Sequence, residues 1–275
     1  MFELSDFFHH LDTFRYRAIF DGIEYPWEVV TRISKYMKEA FKEIARENES
    51  KITIGGISAQ NIRGDDGKVL EKMILVENMF KLKSPLFLKD LGIYIGKGTL
   101  LEPTAIIKSP AIIGSECEIR QGAYLRGNII VGDNCILGHT TEIKNSVIMD
   151  HTEAGHFAYI GDSVLGCHVN LGAGTKIANL QLRTREEKDS NKINPIKITI
   201  DERVIDTGMQ KFGAVVGDYA EIGCNTVTCP GALIGKNSWI LPNTTVKKGY
   251  HPSPGESYEV GEVQMIKGYA SQGES

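Results

Sequence analysis

No stretch of this chain carries the roughly 18 to 20 consecutive apolar residues that a membrane-crossing helix requires, so no membrane partner is expected. Cysteine is scarce: five residues, an odd and scattered set, which fits a reducing, cytoplasmic setting better than a disulfide framework. The opening residues Met1-Phe2-Glu3-Leu4-Ser5-Asp6 lack the basic charge of a secretory signal. An excess of one charge is missing too, since 31 Lys and Arg stand against 35 Asp and Glu. That balance leaves no broad surface for nucleic acid. With 41% apolar and 24% charged residues, disorder, collagen and coiled coil are excluded. Glycine is the abundant residue, 29 in all and mostly after position 90.

The first fifty residues read as helical. Between Trp27 and Arg46 the apolar residues Val30, Ile33, Met37, Phe41 and Ile44 recur at helical spacing. Pro26 stands where a helix would start, and Glu47-Asn48-Glu49-Ser50 where it would end. Short strands are expected at Lys51–Ile54 and Lys72–Val76, with a turn at Gly64-Asp65-Asp66-Gly67 between them.

From residue 95 an aliphatic side chain returns every six residues: Ile95, Leu101, Ile107, Ile113, Ile119, Leu125, Val131, Leu137 and Ile143. After a five-residue step it resumes at Ile148, and after another at Leu165; it returns from Val216 to Val246. Of these 21 positions, 19 are Leu, Ile or Val, a fixed period that signals a solenoid. Three hexads make one coil of a parallel β-helix, with the repeated aliphatic pointing inward and its flanking residues outward. The expected fold is mainly β, about seven coils with an N-terminal helical segment. Residues 1–92 form an α/β cap segment, 93–250 the solenoid with a loop inserted at about 180–212, and 251–275 a tail. The polar run 183–191 must leave the solenoid as that loop. The helical segment is expected to cap the open end, whose unpaired strand edge invites aggregation. Cys117 and Cys135 fall 18 residues apart at inward positions and read as small core fillers.

Residues 18 apart stack on neighbouring rungs, ~4.8 Å from each other. Arg126 and Lys144 are such a pair, both facing outward; Tyr124, Glu142 and Tyr159 form the outward column two residues earlier. Two stacked cations repel, and a bound anion would relieve that cost. The alternative is a solvated face on which Glu142 neutralises both. His139 and His156 stack across the 17-residue coil, at a corner taken to be the one beside the basic column. A neutral imidazole there can take a proton from an amine or water; equally, it can be a corner histidine that only bonds the backbone.

The segments Glu142-Ile143-Lys144-Asn145-Ser146, Ala154-Gly155-His156-Phe157-Ala158-Tyr159-Ile160-Gly161-Asp162 and Asn170-Leu171-Gly172-Ala173-Gly174-Thr175 resemble the acetyltransferase domain of the bifunctional enzymes that make UDP-N-acetylglucosamine. The archaeal sugar-1-phosphate versions look most similar, through Gly208-Met209-Gln210-Lys211-Phe212-Gly213-Ala214. The resemblance implies a left-handed β-helix, a homotrimer with active sites between subunits, and acetyl-CoA as co-substrate with no metal needed for transfer. It implies that His156 is the general base, oriented by Glu142, and that Arg126, Lys144, Tyr159 and Asn170 bind a hexosamine-1-phosphate. Asn179, Lys211 and Cys224 would line the acetyl-CoA site. A local Arg-x-Gly-Ala likeness favours Arg120 over Arg126 as the phosphate-binding arginine; the coil spacing favours Arg126. The nucleotidyltransferase domain of those relatives has no counterpart in residues 1–92, where Ile54-Gly55-Gly56-Ile57-Ser58 lacks a triphosphate-cradling loop. Uridylyl transfer is therefore not expected of this chain, and a separate uridylyltransferase would supply it.

Three alternatives share the fold: a lipid A type acyltransferase of UDP-sugars, a γ-type zinc carbonic anhydrase using His139, His151 and His156, and an assembly module without turnover. The lipid A type uses an acyl carrier protein, whereas the Ala-Gly-His-Phe-Ala-Tyr motif and Lys144 favour a sugar phosphate.

Overall fold

The structure is a computed structural model that describes residues 3–50, 54–200 and 202–253. The chain winds into a left-handed parallel β-helix, a three-sided prism whose sheets hold nine, nine and eight strands. Each strand is only two to four residues long in the parallel part, as in Tyr124–Leu125, Glu142–Lys144 and Tyr159–Gly161 on one face. Strand geometry sends alternate side chains to opposite sides. Leu125, Ile143, Ile160 and Ile177 therefore stack in register along the axis, all fully buried. Cys117 and Cys135 lie buried in the same core, where burial holds the Cys135 thiol well above its ordinary pKa.

The expected seven coils correspond to the parallel rungs; the remaining height comes from residues 57–88. Val69–Val76, Phe80–Lys81 and Leu86–Leu88 run antiparallel to the first strand of each face, Ile106–Lys108, Leu100–Leu101 and Ile93–Ile95. This layer covers the strand edges at that end of the prism. Ile57–Arg63 continues it as a hairpin with Val69–Val76, turned at Gly64–Gly67. Of the strand expected at 51–54, residues 51–53 lie outside the described residues, and Ile54 precedes the strand that forms.

The helix spans Glu28–Glu47 and buries Val29, Val30, Ile33, Met37, Ala40 and Ile44 on one stripe. It does not sit at the open end, as the sequence suggested. Together with residues 7–20 and 196–200 it packs over one face of the prism, where the strands Ala111–Ile113, Ile129–Val131 and Ala232–Ile234 are buried at every residue. The cause is an extra aliphatic one residue before the inward one: Ile112, Ile130, Val147, Val164, Val215 and Leu233 point outward and are all fully buried beneath the N-terminal segment. Left exposed, each would forgo about 1.5–3 kcal/mol of burial free energy. Asp218 ties the segment down, its carboxylate accepting from the backbone N–H groups of His9 (2.7 Å), His10 (2.9 Å) and Cys167 (2.7 Å).

Between the strands Lys176–Ile177 and Ala214–Val216 the chain leaves the coil, forming a short helix at Arg185–Asp189 and a hairpin of Lys197–Ile200 with Arg203–Asp206. Ile196, Ile198 and Ile200 fold back onto the helix-covered core. Gly249–His251 is the last strand, and of the expected tail, residues 254–275 lie outside the described residues. Among the described residues no helix is long and apolar enough to cross a membrane.

Candidate active site

With one face covered by the chain itself, two faces of the prism remain open. The strands Tyr124–Leu125, Glu142–Lys144 and Tyr159–Gly161 belong to the first, hereafter the site face. Down its middle runs the outward column Tyr124, Glu142, Tyr159 and Lys176, in parallel register. Along its edge toward the helix-covered face stand Lys108, Arg126 and Lys144, each just after an inward aliphatic, and then Gly161 in register with Lys144.

The two cations expected to share Glu142 have separate partners. Arg126 Nη1 meets Glu142 Oε1 at 2.7 Å, and Lys144 Nζ lies 3.4 Å from Asp162 Oδ2. Asp162 is buried and also accepts from Asn145 Nδ2 (2.7 Å) and Asn179 Nδ2 (2.5 Å). Arg126, Asn128, Lys144, Asn145 and Asp162 line a cleft of about 350 Å³. The Arg126–Glu142 pair is partly exposed and worth about 0–1 kcal/mol, so an entering anion can displace Glu142, whereas Asp162 is buried and stays held by Lys144 and the two asparagines. The hydrogen bond from Arg126 to Glu142 raises the guanidinium pKa, keeping its charge fixed. Burial, with the charges of Glu142 and Asp162, raises the Tyr159 phenol, which is therefore a hydrogen-bond donor and not a base near neutral pH. A Cβ on Gly161 would lie 2.6 Å from Asn179 Nδ2 and 2.7 Å from the Tyr159 hydroxyl. These two groups occupy the space that glycine leaves above Lys144.

His156 stands at the other edge of the site face, where the chain turns in from the third face. It is exposed, in register with His139, and followed by Phe157 in the left-handed conformation (φ +53°). Here the sequence expectation needs correcting: His156 and the basic column do not share a corner. The turn at Phe157–Ala158 precedes the site-face strand, whereas Arg126 and Lys144 follow theirs, so the strand separates them by roughly 10 Å. The corner itself is held firmly. Lys176 Nζ donates to the carbonyls of Phe157 (2.9 Å) and Gly174 (2.7 Å), and Gly174 N–H donates to the His156 carbonyl (3.0 Å). The Phe157 ring packs edge-on against His139 (5.2 Å) and 6.5 Å from His156. Among the described residues the His156 ring makes no hydrogen bond, and Glu142, expected to orient it, is bonded to Arg126 instead.

The other expected residues divide between the faces. Asn179, expected at the acetyl-CoA site, instead donates to the cleft carboxylate of Asp162, and the Tyr159 hydroxyl converges with it at Gly161. Lys211 is exposed beside it, just before Phe212, whose N–H donates to the Asn179 carbonyl (2.9 Å). Cys224 is exposed on the His156 edge, two rungs further along. Asn170 lies on the third face, donating to Glu221 (2.8 Å), and in one chain it does not meet the cleft. Arg120 directly follows a third-face strand at the His156 edge, paired with Glu118 at 2.8 Å and with its guanidinium beside Gly155, so the arginine that lines the cleft is Arg126. His151 is at the remaining edge, its ring stacked on His168 at 4.6 Å, away from His139 and His156. Within one chain the three histidines expected of a zinc site are thus not brought together, and among the described residues no three His, Cys, Asp or Glu side chains are grouped to hold a metal ion.

Three contributors went unread in the sequence: Asp162, Asn145 and Lys176. Asn145, Asp162 and Asn179 fall 17 residues apart, the coil length of this region, and that polar ladder was visible in advance.

A family model described as the GMPPB C-terminal domain matches residues 106–205. The bifunctional protein GlmU of Methanococcus aeolicus is 31% identical over 222 residues, covering 76% of this chain and 50% of that protein. The bifunctional sugar-1-phosphate nucleotidylyltransferase/acetyltransferase of Sulfurisphaera tokodaii is 33% identical over 207 residues, 68% of this chain and 47% of the relative. The chain thus spans about half the length of the curated relatives it matches. A solved polysialic acid O-acetyltransferase, OatWY, aligns with 60% of this chain and 88% of its own at 15% identity and a TM-score of 0.27, too little to argue from. The chain is a hexapeptide-repeat β-solenoid related, at low identity, to GlmU-type bifunctional enzymes.

Proposed function

We propose that the chain is an acetyl-CoA-dependent N-acetyltransferase acting on a hexosamine-1-phosphate. One observation carries this: a two-cation cleft and an unengaged imidazole border the same face of the prism, across a single strand. The phosphate docks on Arg126 and Lys144 through charge-assisted hydrogen bonds, releasing Glu142, while Lys144 keeps Asp162 and turns a further N–H to the phosphate. The sugar lies across Tyr159, with its amine toward His156. The imidazole takes a proton from the attacking amine, and the nitrogen bonds to the thioester carbonyl carbon. Collapse of the tetrahedral intermediate breaks the C–S bond, and the CoA thiolate leaves with the proton the imidazole holds. Acetyl-CoA itself enters as co-substrate, with Cys224 on the His156 edge and Lys211 at the opposite edge as the residues best disposed to flank it.

A homotrimer fits this arrangement. Among the described residues the site face and the third face are left uncovered, and Asn170 completes the site if the third face of one subunit meets the site face of the next. The test is release of CoA from acetyl-CoA with glucosamine-1-phosphate. His156→Ala is expected to slow it by at least about a hundredfold; an unchanged rate removes the imidazole from the chemistry.

A further inference from the structure

The phosphate cleft does not end at Arg126. A second cavity of about 270 Å³ adjoins it and shares Arg126 and Ser109 as a common wall. Its other walls are Lys108, one rung before Arg126, and the hairpin residues Val69, Leu70, Glu71 and Lys72. The strand Val69–Val76 carries them there by pairing antiparallel with Ile106–Lys108, and Ser109 N–H donates to the Lys72 carbonyl at 2.9 Å.

The charge in this second chamber is unbalanced, unlike that in the first. Lys144 and Arg126 each face a carboxylate, as does Lys108, whose Nζ lies 2.6 Å from Glu71 Oε2 and 5.2 Å over the Tyr124 ring. Lys72 reaches only a backbone carbonyl, that of Asp90, and among the described residues no carboxylate pairs with it. The surplus cation therefore stands beyond the phosphate cleft, and it favours negative charge there. Next to it Leu70 is 65% and Val69 38% exposed, an apolar strip beside a cationic chamber.

We propose that the cleft also takes the nucleoside-diphosphate form of the amino sugar, and holds it more tightly than the monophosphate. The sugar-bearing phosphate sits on Arg126 and Lys144, the second phosphate on Lys108 and Lys72, and the base lies against Leu70 and Val69. Glu71 gives up Lys108 to the ligand, as Glu142 gives up Arg126. The extension rests on the reading of Arg126 and Lys144 as a phosphate site and names the larger substrate class of that same site.

The test is calorimetric titration of the full chain with glucosamine-1-phosphate and with UDP-glucosamine. UDP-glucosamine should bind at least about tenfold more tightly, the worth of one or two added charged hydrogen bonds. Lys108→Ala should shrink that preference at least about fivefold; Lys72→Ala, which removes only a side chain bonded to a backbone carbonyl, should act in the same direction if the first variant misfolds. Equal affinities in the wild-type chain, or a preference unchanged in both variants, overturn the extension alone. If Arg126→Ala weakens neither ligand, the phosphate site fails and the extension with it.

Discussion

Replacing Gly161 by alanine places a methyl group at the point where two polar side chains converge. The new carbon would sit 2.6 Å from Asn179 Nδ2, 2.7 Å from the Tyr159 hydroxyl and 3.1 Å from Asn179 Cγ. Ordinary contacts begin near 3.4 Å, so both groups must retreat by most of an ångström. Each is the end of a side chain that can rotate, and Gly161 is in an extended strand that alanine tolerates. The fold therefore survives at a cost of about 1–3 kcal/mol, the worth of the charged hydrogen bond to Asp162, which is several degrees in melting temperature for a chain of this size. The site does not. Asn179 loses its placement on Asp162, and the Tyr159 hydroxyl leaves the space above Lys144, a misplacement of about 1 Å that can cost up to 10²-fold. In the CoA-release assay with glucosamine-1-phosphate, kcat/KM should fall about ten- to a hundredfold while the chain still melts cooperatively, a few degrees lower. An unchanged kcat/KM would refute the idea that turnover depends on the placement of Tyr159 and Asn179; a loss matched by global unfolding would refute the division between fold and site.

Arg126→Ala should raise the KM for the sugar phosphate about ten- to a hundredfold through loss of charge-assisted bonds, whereas Arg120→Ala, outside the cleft and paired with Glu118, should change it less than about threefold; steady-state kinetics decide between them. Ile130→Ala, beneath the N-terminal segment, should cost about 2–5 kcal/mol in urea unfolding, and a cost near zero would mean that the covering segment contributes nothing to stability. Burial, then the neighbouring His151 and His10, lower the pKa of His168. The folded state thus binds fewer protons than the unfolded chain below about pH 6.5, so stability should decline as the pH falls from there toward the depressed folded value. His168→Phe should flatten that decline in melts run across this range, and an unaltered slope would exclude His168 as its source.

The prism was legible in the sequence because every inward position obeys one period, and Ile95 through Val246 land in the core. The identity of the three faces was less so. A count of hexads gives the inward phase but not which face the chain will cover itself. That clue lay one residue upstream, in Ile112, Ile130, Val147, Val164, Val215 and Leu233, an outward aliphatic on every third hexad. The rung pairing of Arg126 with Lys144 could be read from spacing alone, since it needs only the coil length. The position of His156 could not, because the phase of a turn does not say whether it opens or closes a given face. Side-chain partners were hardest: Glu142 had three candidates by proximity, and only the coordinates put it on Arg126 and left Lys144 to Asp162. Asn170 lies on the neighbouring face, bonded to Glu221 and apart from the cleft within one chain, which the motif alone did not reveal.

The most direct measurement is a crystal structure of the protein with glucosamine-1-phosphate bound. The phosphate should lie within hydrogen-bonding reach of both Arg126 and Lys144, with the amine about 3 Å from an imidazole nitrogen of His156. A phosphate seated on Arg120, or an amine turned away from His156 with the phosphate in its cleft, would contradict the arrangement on which the proposed chemistry depends.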